Sequence, residues 1–341
     1  MTLRPEDAHV RFGLVRYRAT AGTTTAAPGT TTTPGTTAAD TADLGVVSEG
    51  RVHRVDLAQL GAADVNDVFA RWAELEQAVR AIPGHSEGLA LDEVELLAPV
   101  LPRQLLQTGA NYRTHVIGLV VGHRSPDDPR PVEQVREEAA AMMDARAAHG
   151  EPYFFIGLPQ TVVAADSDLV LPAASERHDW ELELAVIIGT PAFHVAPEDA
   201  LDHVWGYTIV NDVSTRDLIF RKDMPEIGTD WFRAKNSPGF NPTGPFAVPA
   251  SEFGDGPFEL RLDVNGETMQ DADTGDLLFD IPRLISAASQ TIPLLPGDLL
   301  LTGSPAGNGQ ARGIFLKAGD RLEGSITGLG TQRFTCVAEQ R

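Results

Sequence analysis

A single cysteine, Cys336, stands in 341 residues, which excludes an intrachain disulfide and any metal site built from several thiolates. Beside Phe334 and Val337 it reads as a buried structural thiol rather than a nucleophile. Long apolar runs are missing too: no segment approaches the roughly 20 uninterrupted apolar residues that a membrane helix needs. The first residues, MTLRPEDAHV, lack the apolar core of a secretory signal, so a cytoplasmic location is expected. Basic residues are few, 27 Lys and Arg against 48 Asp and Glu. The resulting formal charge of −21 opposes nonspecific contact with nucleic acid or an anionic membrane, and neither is expected as a partner. An anionic substrate is not excluded, because a bound cation reverses the field locally. No internal repeat is present. TGSPAG is not a Walker pattern and no GxGxxG follows an initial strand, so no nicotinamide or other organic cofactor is expected.

Against these absences, 42% hydrophobic residues over this length can bury one large core or two unequal ones. Val10–Arg18 reads as a strand. Ala19–Asp43, dominated by Thr, Ala, Gly and Pro without an aromatic anchor, reads as a loosely packed surface insertion. Leu44–Leu57 reads as a second strand that pairs with the first, since a longer loop adds little closure entropy. Val68, Trp72, Leu75 and Val79 predict a helix over Asp64–Ala81. A small N-terminal domain over residues 1–99, carrying the insertion at 19–43, and a larger one over 100–341 are expected. In the larger part, Pro131 opens a helix to about His149, and Ile281–Ser289 forms a late one. Pro197–Val204 reads as a short helix, and Trp180–Ile188, Tyr207–Val210 and Leu299–Leu301 read as strands. Phe258–Val264 enters a favourable Asn265–Gly266 hairpin turn. Short strands divided by Gly and Pro turns predict a β-rich α+β fold.

The sharpest local signal is DWELELAVIIG at 179–189. As a strand it turns Glu181, Glu183, Ala185 and Ile187 to one face and Leu182, Leu184, Val186 and Ile188 to the other. Two carboxylates so spaced can converge on a cation, and Asp212, after the next apolar strand, offers a third oxygen ligand. Spacing alone fits a solvated strand face with Asp212 capping a turn equally well. An oxygen-rich set suits Mg²⁺ or Mn²⁺, with Ca²⁺ as a further candidate.

Taken with GYTIVNDVSTRD at 206–217, Lys235 in FRAKNSPGF, TGPF at 243–246, VNGE at 264–267 and LLPGDLLLTGSPAG at 294–307, this pattern resembles the fumarylacetoacetate hydrolase family. GANYRTH at 109–115 and GLG at 328–330 extend the likeness, which runs in the family's order over roughly residues 103–337. The resemblance implies a mixed β-sandwich roll behind a small N-terminal domain, a homodimer, and Glu181, Glu183 and Asp212 as ligands of a divalent metal, Mg²⁺ first. It implies an enzyme acting on a small oxo-carboxylate or diketone. His115 is expected as the general base on a lid-like segment, and Lys235 as an electrostatic partner of the reacting group. Tyr112, Arg113, Arg216 and Gln270 are expected at the substrate, with Arg216 also able to buttress Asp212. Thr302, Gly303 and Ser304 are expected to donate hydrogen bonds to a carboxylate or carbonyl. Arg221, Lys222 and Arg233 are candidates for a second acidic or polar end.

Two departures bear on the reaction. Where family hydrolases place a glutamate three residues after the histidine, this chain has Gly118, and a family lysine in the pattern around PYFFIG is replaced by Gly157. Glu137, Glu138 and Glu151 are candidate spatial substitutes for the glutamate. Hydrolysis of a C–C bond in an acylpyruvate-like or β-diketo acid, through a metal-stabilised enolate, is the first expectation. A 2-oxo acid decarboxylase, isomerase or hydratase of specialised biosynthesis stands almost level, and a non-catalytic metal-stabilised binding protein remains a third reading.

Overall fold

The strand Leu182–Ile188 is buried along its whole length, and its two faces enter different apolar clusters. Leu182, Leu184, Val186 and Ile188 pack with Trp180, Ile209 and Phe246 on one side. Ala185 and Ile187 pack with Leu14, Val46, Val68, Phe69 and Trp205 on the other. The period-2 parity expected for DWELELAVIIG therefore holds, and Glu183 shares its parity with Ala185 and Ile187. A run apolar on both faces fits a strand with protein on both sides.

This computed structural model describes residues 10–20, 42–254 and 256–340. Most of the predicted insertion at 19–43 lies outside those residues. The fold is a β-rich α+β roll. An eight-stranded mixed sheet runs in the order Tyr153–Gly157, Leu105–Gly109, Leu299–Leu301, Leu182–Ile188, Val204–Asn211, Asn241–Thr243, Val162–Ala164, with Val248–Pro249 also on Val204–Asn211. A five-stranded sheet, Glu267–Asp273, Glu259–Val264, Arg321–Ile326, Gly330–Ala338 and Leu169–Leu171, packs beside it. A second five-stranded sheet forms from the N-terminal region.

In that N-terminal sheet Gly13–Ala19 pairs antiparallel with Asp43–Ser48, Tyr17 opposite Asp43, as expected across the insertion. The single strand expected over Leu44–Leu57 is instead two, Asp43–Ser48 and Arg51–Val55. Glu49 and Gly50 both take positive φ, 51° and 73°, which is the backbone of a tight primed hairpin turn. The helix expected over Asp64–Ala81 breaks at Arg71 into Val65–Ala70 and Trp72–Ala81. Its start is fixed by Asp64, whose side chain accepts from Asp67 N at 2.9 Å.

Other local expectations match closely. Pro131 caps the helix Val132–His149, and Ile281–Ser289 is helical behind an Asp280 cap. Pro197–His203 is a 3₁₀ helix. Asn265 and Gly266 close a two-residue hairpin at φ 53° and 83°. Cys336 is buried, and burial pushes its thiol up to about 12. Among the described residues no helix is long and apolar enough to cross a membrane.

Candidate active site

Antiparallel pairing brings the acidic residues together. Leu182 lies opposite Asn211, so the chain entering one strand meets the chain leaving the other. Asp212 N donates to Glu181 O at 2.8 Å, and Glu181 N donates to Asn211 Oδ1 at 3.0 Å. Glu181 sits just before the strand, whose first residue is Leu182 rather than the expected Trp180. Ligand oxygens of Glu181, Glu183 and Asp212 all lie within 4.8 Å of one another.

Lys235 ends the short helix Trp231–Lys235 and is 1% exposed. Its Nζ donates to Glu181 Oε2 at 2.9 Å, Asp212 Oδ2 at 2.7 Å and Asp212 O at 2.9 Å, which uses all three N–H groups. Arg216 contacts Glu181 Oε1 at 2.5 Å and Asp179 Oδ2 at 2.7 Å. It therefore buttresses Glu181 and not, as expected, Asp212. Gln107, on the strand Leu105–Gly109, donates to Asp212 Oδ1, and Gly303 N donates to Glu183 Oε2 at 2.8 Å. Gly303 has φ 98°, and a Cβ there would stand 3.0 Å from Asn111 Cβ, so this donor position favours glycine on both counts.

Four carboxylates, with Asp179 counted, face only Lys235 and Arg216, a surplus of two negative charges when all are ionised. The pKa directions express that surplus. Burial, then Asp212 and Glu181, holds the Glu183 carboxyl well above its ordinary range. Burial raises Asp212 to about 6 despite Lys235. Burial would raise Glu181 as well, but Arg216 and then Lys235 hold it down to about 2. An all-oxygen donor set with unbalanced negative charge fits a hard divalent cation.

A stability prediction follows from Glu183. Between pH 6.5 and 8 the Asp212 carboxyl is mostly ionised, and His115, neutral when folded, adds only a small opposing contribution as its unfolded form loses the last of its proton. Glu183, raised when folded, contributes stability in its protonated form that is lost as pH rises. The metal-free protein should therefore melt lower at pH 8 than at pH 6.5, and saturating Mg²⁺ should flatten or reverse that slope in a calorimetric scan. A metal-free slope of opposite sign would contradict the electrostatics.

The cluster opens to a cavity of about 170 Å³ through Glu181, Lys235 and Arg216, which line it with His115 and Ser304. His115 lies in the first turn of the helix Arg113–Gly122. Burial lowers its pKa to about 4, with Glu181 opposing and Arg216 assisting, so the ring is neutral at pH 7.

The other predicted site residues lie off this cavity. Tyr112 is fully buried, and Arg113 pairs with exposed Asp144 at 2.8 Å. Gln270 accepts from Leu182 N at 3.0 Å and donates to Ser304 Oγ at 2.9 Å, so it ties the cavity's serine to the acidic strand. Thr302 Oγ1 donates to Leu184 O at 3.0 Å, and Gly303 N is taken by Glu183. Of that loop only Ser304 reaches the cavity. Arg221 pairs with Asp223 and Asp230, and neither it, Lys222 nor Arg233 lines the cavity.

Residues not singled out from the sequence also build the site. Gln107, after Leu105 and Leu106, is fully buried against Asp212. Asp179 accepts from Gly309 N at 2.7 Å and Gln310 N at 2.9 Å as well as from Arg216. Thr108, Tyr153, Phe155 and Trp231 complete the wall.

Comparison with known proteins agrees with this arrangement. The chain is 34% identical over 263 residues to the human mitochondrial oxaloacetate tautomerase, covering 76% of this chain and 74% of that protein. It is 40% identical over 187 residues to a 2,4-didehydro-3-deoxy-L-rhamnonate hydrolase of a Sphingomonas species, covering 54% of this chain and 64% of that protein. The chain thus spans somewhat under two thirds of that hydrolase. Among solved structures, a maleylpyruvate hydrolase from a Sphingobium species, in complex with manganese(II) and pyruvate, superposes with a TM-score of 0.69 at 25% identity, covering 96% of this chain and 100% of that one. The family described as "Fumarylacetoacetate (FAA) hydrolase C-terminal" matches residues 104–337. By that match and these relatives, the chain is a member of the fumarylacetoacetate hydrolase family, with the metal-capable acidic cluster of an enzyme.

Proposed function

We propose that this enzyme moves a proton between carbon and oxygen in a small 2-oxo carboxylate, a tautomerase or isomerase reaction, with a divalent cation at Glu181, Glu183 and Asp212. One observation carries the choice over C–C hydrolysis: among the described residues, no carboxylate outside the metal-capable cluster lines the cavity with His115. Gly118 is exposed, and a Cβ built there meets nothing within 4 Å. Glu137, Glu138 and Glu151 are all absent from the cavity wall, and Glu138 is paired with Arg130. The relative named as an oxaloacetate tautomerase supports the same reading.

A cation in this cluster, Mg²⁺ or Mn²⁺ by its oxygen donors, would supply Lewis-acid polarisation of the 2-oxo group. The rest is the work of side chains. His115, neutral at pH 7, takes a proton from carbon 3 of the oxo acid. The C–H electron pair becomes the C2–C3 double bond, and the carbonyl oxygen accepts the proton to give the enol. Lys235 and Arg216 hold Glu181 and Asp212 ionised and fixed, so the donor set is preorganised. Leu119, Phe155 and Trp231 restrict water around the reacting carbon.

Hydrolysis is the second reading, favoured by the two relatives named as hydrolases. Gly118→Glu separates the two. On a helix this exchange favours folding by about 0.5–1 kcal/mol, and open space receives the side chain. If Gly118 is what withholds hydrolysis, the variant should raise release of paired fragments from an acylpyruvate at least ~10-fold, a modest share of the ~10²–10⁴ that acid–base catalysis supplies. Abundant fragments from the unaltered enzyme would sink the tautomerase reading.

A further inference from the structure

We infer that the cavity selects a 2-oxo monocarboxylate with a flat, uncharged tail over a dicarboxylate; this rests on the proton-transfer reading above and names its substrate class. The first ground is the wall. Phe155 and Trp231 stack with ring centroids 4.6 Å apart and planes 17° apart, and Tyr153 adjoins both, at 6.1 and 6.4 Å. Lys235 Nζ is 5.5 Å from the Phe155 centroid, so this aromatic surface begins where the carboxylate cluster ends. With Leu119 it forms the apolar side of a cavity of about 170 Å³ whose other side is the acidic cluster and His115.

The second ground is charge. Among the described residues, Arg216 and Lys235 are the only Arg or Lys on the cavity wall, and both are committed to the acidic cluster. Arg113, nearby in sequence to His115, is held by Asp144 outside the cavity, and Arg146 donates to Ala110 O. A bound divalent cation would cancel the surplus of the cluster and meet the first carboxylate of the ligand, and a second carboxylate finds no uncommitted Arg or Lys on the described wall.

The third ground is what the protein leaves unsatisfied. Thr108 Oγ1 and Trp231 Nε1 are buried atoms on cavity-lining residues, and neither has a hydrogen-bond partner. Thr108 is 3% exposed. Both groups are neutral hydrogen-bond donors, so they can receive an oxygen on the tail without adding charge to the site.

The test titrates the full-length Mg²⁺-loaded protein with phenylpyruvate and with oxaloacetate by calorimetry, and follows hydrogen–deuterium exchange at carbon 3 of each by NMR. Phenylpyruvate should bind at least ~10-fold more tightly, the effect of one unpaired charge at a desolvated site. Tyr153→Arg, at a side chain 44% exposed and so tolerant of exchange, should shift the preference at least ~10-fold towards oxaloacetate. Equal or tighter oxaloacetate binding by the unaltered protein, or no shift in Tyr153→Arg, overturns the inference. Preferential phenylpyruvate binding without exchange would keep the inference and remove the proton-transfer reading. Exchange with oxaloacetate preferred would do the reverse, and binding of neither ligand would remove both.

Discussion

Glu183→Ala is expected to weaken Mg²⁺ and Mn²⁺ binding at least ~100-fold, since even partners of metal ligands typically account for about 10–100-fold. Calorimetric titration of the purified variant reads this directly. Glu183 is 1% exposed, and its neighbours are the like charges of Asp212 and Glu181. A bound cation is the one change that turns this repulsion into attraction. The companion variant Glu183→Gln keeps an acceptor for Gly303 N while removing the charge. Metal-free, it should melt higher than the parent at pH 8, because one buried, repelled carboxylate is gone. Unchanged metal affinity in Glu183→Ala would remove the acidic cluster from the mechanism.

The second large effect belongs to His115. His115→Asn should lower kcat about 10²- to 10⁴-fold, the range of general acid–base catalysis, while leaving Mg²⁺ affinity within about twofold of the parent, as expected for a residue outside the coordination shell. The split matters. His115 lines the cavity beside Glu181 and Arg216 but makes none of the hydrogen bonds that order the carboxylates. Its neutrality comes first from burial, so the wild-type base form persists down to about pH 4. A fall in metal affinity matching the fall in rate would make His115 a structural support of the cluster.

The acidic cluster is only half legible in local sequence: spacing alone fits a solvated strand face equally well, and the ordered family motifs favour the metal reading. Strand parity groups Glu181 and Glu183, and Asp212 closes the adjoining strand. The Asn265–Gly266 turn and the helices from Val132 and Ile281 were legible, each carrying its own turn or cap chemistry. Glu49–Gly50 hid a hairpin because glutamate rarely takes positive φ, so the run to Leu57 read as one strand. Contacts across long sequence separation were out of reach. Gln107 meets Asp212 across 105 residues, and Asp179 meets Gly309 across 130. No period or spacing encodes such a meeting; only the sheet order that sets Leu105–Gly109 beside Leu299–Leu301 and then Leu182–Ile188 creates it. Arg113 shows a local motif and a distant contact pulling apart. The family-like GANYRTH motif places it at the substrate, whereas its side chain pairs with Asp144 on the packed helix Val132–His149.

Gly157 has a physical consequence of its own. A Cβ there would stand 2.7 Å from Leu105 Cδ2 and 2.9 Å from Gln107 Oε1. The strand therefore closes over Gln107 where the family pattern carries a lysine, and Gln107 is left to hold Asp212.

The most direct test follows the carbon-3 hydrogens of a 2-oxo acid by NMR in deuterium oxide, with the enzyme and Mg²⁺ present and then with the metal chelated. Metal-dependent deuterium uptake at carbon 3, with the carbon skeleton intact and the effect lost in Asp212→Ala, is the predicted result. Paired cleavage fragments, or uptake indifferent to metal and to Asp212, would contradict it.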